Sequence, residues 1–267
     1  MAIIVTDLEQ GTPEWFAARA GIPTASSFDL ILTAKGEPSK SQEKYAHTLA
    51  GERVLGYPEE SYSSDHMERG KLLEDEAREL YEFLTGNTVT QVGLIYLDDR
   101  SAACSPDGLV GDDGGLEIKC PKLSTHVGYL LEDRLPADYH RQVQGSLFVS
   151  GRQWWDFMSY YPGMRPLVVR VFPDVRFHRC LAELLANFNK LVEEIAGRIG
   201  GRVNTGKTAA QIRREMAAIA CQHPDDPALA AQRLREYYQQ ETISSTAAQG
   251  LQMLYELLLA DLGKTSL

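Results

Sequence analysis

The chain predicts an α/β fold, with a mixed central β-sheet flanked by helices and a small helical appendage at the C-terminal end. Three observations carry this expectation. Helical stretches are followed by a group of short strand-like runs and then by helices again, the order of an α/β core. A turn signal between apolar-rich runs at 105–120 reads as a β-hairpin. Beyond about residue 200 the pattern is helical throughout, with no strand-like run.

Taken in order, Gln10-Gly11-Thr12-Pro13-Glu14-Trp15 opens a short helix, with Thr12 as cap and Pro13 in the first turn. Arg19 ends it, Pro23 breaks the chain, and Thr24 or Ser26 caps the next short helix. A helix start presents free backbone donors to an anion, so with Arg19 nearby this is a candidate phosphate pocket. Ordinary capping beside a surface arginine is the competing reading. Residues 33–40 read as a loop, 41–55 as a helix, 56–65 as a loop and 66–85 as a strongly periodic helix. Its apolar stripe is Leu73, Ala77, Leu80, Tyr81 and Leu84. Glu74 stands at the edge of that stripe, placed either to reach a site on the sheet or to pair with Arg78 four residues on.

Short strands are expected at 88–91, 94–97 and 102–104, before the hairpin. Helices at 123–131 and 136–149 follow it, the second with Tyr139, Val143 and Leu147 on one apolar line. Strands at 153–161 and 167–172 lead to the clearest helix, 174–199, whose stripe includes Phe177, Leu181, Leu185, Phe188 and Val192. The domain reading is 1–200 as the main domain, 201–206 as a linker and 207–267 as a helical module. That module is read as three helices, broken near residues 223–227 and 243–245. Gly201-Arg-Val-Asn-Thr-Gly206-Lys207-Thr208 matches a nucleotide-binding loop pattern. That loop needs a supporting strand, and here a long amphipathic helix precedes it.

Composition bounds the function. A hydrophobic fraction of 43% with 24% charged residues is that of an ordinary soluble protein. No apolar run is long enough to span a membrane, and the N-terminus lacks the pattern of a signal peptide. The four cysteines have no metal-type pairing, which fits reduced thiols in a cytoplasm. The formal charge of −10 argues against holding nucleic acid by bulk electrostatics. Any positive charge for a phosphate must be local.

The chemistry concentrates in the hairpin. Nine residues separate Asp107 from Glu117, and Lys119 follows by two. The turn is expected at Asp112-Asp113-Gly114-Gly115. Side chains alternate along a strand, so Leu116, Ile118 and Cys120 face the core while Glu117 and Lys119 face the other way. A hairpin returns on itself and can bring Asp107 beside Glu117. Two close carboxylates repel and gain from a hard divalent cation, magnesium or manganese. A lysine beside it can orient or deprotonate a water that attacks phosphorus. The plainer alternative is a Pro-Asp-Gly turn and a solvated Glu-x-Lys strand face.

Several motifs occur together in one order. They are Arg19…Thr24-Ala25-Ser26, Arg69-Gly70-Lys71-x-x-Glu74-x-x-Ala77-Arg78, Ser105-Pro106-Asp107-Gly108, Gly115-Leu116-Glu117-Ile118-Lys119-Cys120-Pro121 and Gln142-Val143-Gln144. Over roughly residues 8–200 the chain resembles the lambda-exonuclease and YqaJ-type viral recombinase family of the PD-(D/E)xK nucleases. The resemblance implies a restriction-endonuclease-like core. It also implies a homotrimeric ring that degrades one strand of double-stranded DNA from its 5′ end and leaves 3′ overhangs for a single-strand annealing protein.

Carried over by motif, Asp107, Glu117, the carbonyl of Ile118 and Glu74 would hold Mg2+, with Mn2+ as a substitute. Lys119 would position and activate the attacking water, with Gln144 helping to hold it. Arg19, Ser26 and Ser105 would bind the 5′-phosphate. A protein that encircles its substrate needs no strongly basic surface, which answers the charge. Residues 207–267 depart from the family pattern and are read as a docking module for the annealing partner. The rival readings are a restriction-type endonuclease on the same core and a non-catalytic DNA-end binding protein.

Overall fold

In the computed structural model the described residues are 2–56, 58, 65–200, 209–221, 226–240 and 258–260. The chain packs as two compact units, Met1–Tyr45 with Glu60–Asn189, and Ala46–Glu59 with Lys190–Leu267. The elements in order are β1 (Ile3–Val5), α1 (Pro13–Arg19), a 3-10 helix (Ala25–Leu30), α2 (Gln42–Leu55) and α3 (Asp65–Thr85). There follow β2 (Val89–Thr90), β3 (Leu94–Tyr96), β4 (Ala103–Cys104), β5 (Gly108–Val110) and β6 (Gly114–Lys119). The chain continues with α4 (Leu123–Glu132), α5 (Ala137–Ser150), β7 (Trp154–Ser159), β8 (Leu167–Val171), α6 (Val175–Gly200), α7 (Ala209–Cys221) and α8 (Pro227–Gln240). Among the described residues, no helix is long and apolar enough to cross a membrane.

The described residues form two sheets. β1, β3 and β4 form a small antiparallel sheet, and β2-β5-β6-β7-β8 form a larger one in that order. β1 escaped the sequence reading because Ile3-Ile4-Val5 is too short to show a period; only its pairing to β3 defines it. In the larger sheet β6 runs parallel to β7 and antiparallel to β5, so the sheet is mixed as expected. A parallel connection needs a long crossover, and α4 with α5 supply it.

β6 is the middle strand of the larger sheet. Leu116 and Ile118 pack with Ala77 and Tyr81 of α3, Val110, Met158 and Tyr160. On the other face Trp155 and Phe157 of β7 pack with Val143 and Leu147 of α5. The strand is therefore covered on both faces, and Glu117 is only 2% exposed. This rules out the solvated-face alternative for Glu117. The α3 stripe ends at Tyr81: Ala77 and Tyr81 are buried, whereas Leu84 is exposed.

The hairpin turn differs from expectation. β5 ends at Val110 and β6 starts at Gly114, so the turn is 111–113, with Gly111 at φ 54°. Gly114 and Gly115 belong to the strand because indole rings of β7 lie against them. A Cβ on Gly115 would meet Trp155 Cε3 at 2.3 Å, and one on Gly114 would meet Trp154 Cη2 at 2.2 Å. The two glycines are packing residues that happen to follow a turn.

α3 is fastened to the sheet by a polar clamp. The Tyr81 hydroxyl donates to Asp156 Oδ2 at 2.7 Å, and Arg170 donates to both Asp156 oxygens at 2.9 Å. Arg170 also stacks on the Trp154 ring at 3.6 Å. Asp156 is buried, and this bidentate pairing offsets the cost of burying its charge.

In the second unit, α7 and α8 bury Ile212, Met216, Ala230 and Leu234. Asp226 caps α8 through Leu229 N–H at 3.0 Å, with Pro227 in the first turn. The expected linker 201–206, the loop-like motif at 201–208, the break at 243–245 and most of the third helix lie outside the described residues.

Candidate active site

The hairpin register sets the site. Gly108 pairs with Leu116, so the next antiparallel pair outward is Asp107 with Glu117. Asp107 N–H donates to Leu116 O at 3.2 Å, and Asp107 Oδ2 accepts from Ile118 N–H at 2.5 Å. Lys119 Nζ lies 2.5 Å from Glu117 Oε1. The lysine side chain keeps 29% of its surface exposed while the glutamate is sealed. The expected meeting of Asp107, Glu117 and Lys119 is therefore present in the structure.

Glu74 enters from α3. Its Oε1 accepts from Arg78 Nη2 at 2.6 Å, the local pairing weighed from the sequence. It is still close enough to Asp107 and Lys119 for their charges to act on its carboxyl. Burial, the nearby Asp107 charge and the opposing pull of Arg78 leave Glu74 pushed up to about 7. Burial first, countered by Lys119 and reinforced by Asp107, also raises Glu117 to about 7. Asp107 is raised as well, mainly by burial. For Lys119, burial works against the ammonium, but Glu117 and Asp107 outweigh it and raise its pKa.

Among the described residues, no three carboxylate, imidazole or thiol side chains are arranged to hold a metal ion by themselves. Glu74, Asp107 and Glu117 each have one carboxylate oxygen held by a protein donor: Arg78, Ile118 N–H, and Lys119 with Gln142, respectively. The donor chemistry nevertheless fits a hard divalent cation. The side-chain oxygens belong to carboxylates, the Asp107 charge raises the pKa of both Glu74 and Glu117, and Glu117 Oε2 is buried without a protein partner.

The two glutamines of α5 have separate fates. Gln142 Nε2 donates to Glu117 Oε1 at 2.5 Å. Gln144 does not reach the carboxylates. Its Nε2 donates to Phe172 O at 2.9 Å and its Oε1 accepts from Asp174 N–H at 2.9 Å, tying α5 to the start of α6. Residues two apart on a helix point about 200° apart, so only one could face β6. The place expected for Gln144 belongs to Gln142. Tyr139, one turn before, sits 5.5 Å from Lys119 Nζ and packs on Phe157.

We expect Gln142→Ala to lower the turnover of DNA about 10–100-fold, the worth of a hydrogen bond to a charged group, with little loss of stability. Gln144→Ala should do the reverse, costing about 1–3 kcal/mol of stability through unsatisfied buried groups. Parallel kinetics and chemical unfolding of the two variants check this assignment.

Arg19 closes a second cluster. Its Nη2 donates to Thr24 Oγ1 at 3.3 Å, and Thr24 Oγ1 lies 3.2 Å from Ser26 Oγ. The guanidinium stacks on Trp15 at 4.0 Å. Thr24 bridges to Ala103 of β4, and Ser105 follows that strand with its hydroxyl oxygen buried and unpartnered. Arg19, Thr24 and Ser26 are thus brought together, with Ser105 two residues from the bridge. From the sequence Thr24 was a candidate cap only; it does stand at the cap position, but its hydroxyl makes no capping bond and lies with Arg19 and Ser26 instead. Burial pushes the neighbouring Cys104 thiol up, which removes it as a nucleophile.

Fold and site together define a nuclease-type α/β core with an acid–acid–lysine hairpin. Residues 14–153 match the model of the YqaJ-like viral recombinase domain, and the chain belongs to that family. It is similar to an alkaline exonuclease (LHK-Exo) from Laribacter hongkongensis, with 33% identity over 70% of this chain and 97% of that one, at a TM-score of 0.60. LHK-Exo in complex with dAMP gives 34% identity, 70% and 95% coverage and a TM-score of 0.64. A phage-related exonuclease from Haemophilus somnus 129PT shares the fold at 14% identity, with 66% and 96% coverage and a TM-score of 0.52. No curated protein matches the chain.

Proposed function

We propose that this protein is a Mg2+-dependent exonuclease that degrades one strand of double-stranded DNA from its 5′ end. It would release 5′-phosphomononucleotides and leave 3′ single strands for recombination by annealing. The observation that carries this reading is the buried Glu117–Lys119 pair at 2.5 Å, with Asp107 opposite it in the hairpin register. Family membership and the likeness to alkaline exonucleases support the substrate class.

Asp107, Glu117, Glu74 and the Ile118 carbonyl are the groups that would hold the ion. When bound, it would supply stabilisation of the charge that builds on the phosphate during in-line displacement. Lys119, kept as an ammonium by two carboxylates, donates to the attacking water and orients it toward phosphorus. Gln142 and Lys119 both hold Glu117 Oε1, which fixes that carboxylate in place. Arg19, Thr24, Ser26 and Ser105 form the pocket for the terminal 5′-phosphate, where the guanidinium provides local positive charge on a chain of formal charge −10.

The same reading includes a homotrimeric ring around the duplex and an annealing protein docked through residues 207–267. The deciding experiment is digestion of linear duplexes bearing a 5′-phosphate or a 5′-hydroxyl, beside a closed circle, with and without Mg2+. Cleavage of the 5′-phosphorylated linear duplex, only with the ion, is the expected result. Cutting of the circle would replace this reading with the internal endonuclease; binding without cutting would leave an end-binding protein.

A further inference from the structure

Arg78 has no part in the chemistry above, yet it is 8% exposed and sits among the carboxylates. Its Nη2 donates to Glu74 Oε1 at 2.6 Å, its Nη1 to Asp75 Oδ1 at 2.6 Å, and its Nε to Asp107 O at 3.2 Å. With the Gln91 side-chain amide turned so that its oxygen faces the guanidinium, that oxygen accepts from Nη1 and Nη2, both at 3.0 Å. Guanidinium has five N–H donors in a rigid fork. All five are then used within the protein, so this arginine is not a ready contact for a DNA phosphate.

We infer that Arg78 is a positioning residue for the cation site: it ties the Glu74 carboxylate on α3 to the backbone of Asp107 on the catalytic hairpin. The inference rests on the cation site proposed above. α3 and β5 are separate elements, and the Tyr81–Asp156 clamp that fastens α3 lies two turns further along the helix from Glu74. Nearer Glu74 the Tyr160 hydroxyl donates to Glu76, but that bond ends on the residue after β7; the Arg78 guanidinium is what connects Glu74 itself to the backbone of Asp107. Its bonds to Asp75, Gln91 and Asp107 O hold the guanidinium independently of Glu74. The carboxylate of Glu74 is thereby held by one oxygen, and the second oxygen of the same group is left for a ligand.

This role has a signature of its own sign. If Arg78 were only a positive charge near a cation site, deleting it would tighten cation binding, because like charges repel. A positioning role demands the opposite, since removing a group that orients a ligand typically costs about 10–100-fold in metal affinity.

The test is isothermal titration of Mn2+ into the full chain, in the parent, Arg78→Met and Arg78→Lys forms. Unfolding of each in chelator verifies that it is folded. We expect the Met variant to bind Mn2+ about 10–100-fold more weakly. The Lys variant, which keeps the charge and loses the fork, should fall between it and the parent. A Met variant that binds as tightly as the parent, or more tightly, overturns the inference, as does a Lys variant equal to the parent. A parent that binds no Mn2+ overturns the cation-site reading itself, so the two failures are distinguishable.

Discussion

Lys119→Ala is expected to slow hydrolysis of a 5′-phosphorylated linear duplex by about 10²–10⁴-fold, the usual worth of a positioned proton-transfer or water-orienting group. Its affinity for the DNA end should be unchanged. The separation follows from geometry: Lys119 leans on Glu117 at 2.5 Å, whereas the Arg19 cluster is built from α1, the start of the 3-10 helix with Thr24 before it, and the residue after β4. The truncation also leaves Glu117 buried with one fewer donor, although Gln142 still holds the same oxygen. The folded state therefore survives. Single-turnover cleavage and end-binding measured on one preparation check both halves. A variant that cuts as fast as the parent would remove Lys119 from the mechanism.

Asp107→Asn should be nearly as damaging to activity and much gentler to the fold. The Asp107 carboxylate accepts from Ile118 N–H, and an asparagine carbonyl oxygen can accept that same bond. The hairpin is kept while the proposed cation site loses a charged group. On the proposed reading the ion would supply several kcal/mol of transition-state stabilisation, so weakening its hold is expected to reduce cleavage about a thousandfold. The measurement is cleavage at rising Mg2+ beside thermal unfolding in chelator. Full activity at ordinary Mg2+ would show that Asp107 is a hairpin residue and no ligand. A collapse of stability with no independent loss of activity would say the same.

The candidate site was legible in part, for reasons that differ from residue to residue. Asp107, Glu117 and Lys119 lie on one hairpin, where period-2 alternation and a return turn suffice to bring them together. Glu74 posed a choice that periodicity cannot make. A glutamate four residues before an arginine pairs with it on any helix, and here it does, at 2.6 Å. That the same arginine also reaches Asp107 O depends on how α3 lies across the sheet, which no local pattern carries.

The glutamines show the limit most sharply. Gln142 and Gln144 differ in sequence by nothing that marks one for β6 and the other for the β8–α6 link. The orientation of α5 decides, and that is set by Tyr139, Val143 and Leu147 packing on β7 and by Gly145 meeting the 3-10 helix. A Cβ on Gly145 would lie 2.5 Å from Phe28 Cδ2, so the absence of a side chain is what lets the helix rest there. Likewise Gly114 and Gly115 read as turn residues until the tryptophans of β7 are seen against them.

By itself the amino-acid order determined the helices among the described residues, the hairpin that carries Asp107, Glu117 and Lys119, and which residue types could serve a phosphoester. Those follow from short-range rules of period, turn and cap, which act within a few residues. Tertiary structure alone decided that β1 joins β3, that Glu117 is sealed rather than solvated, that Gln142 and not Gln144 meets the acid, and that Arg78 spans two elements. Each of these depends on contacts between segments far apart in the chain, and their energies are settled only when both faces of the central strand are covered.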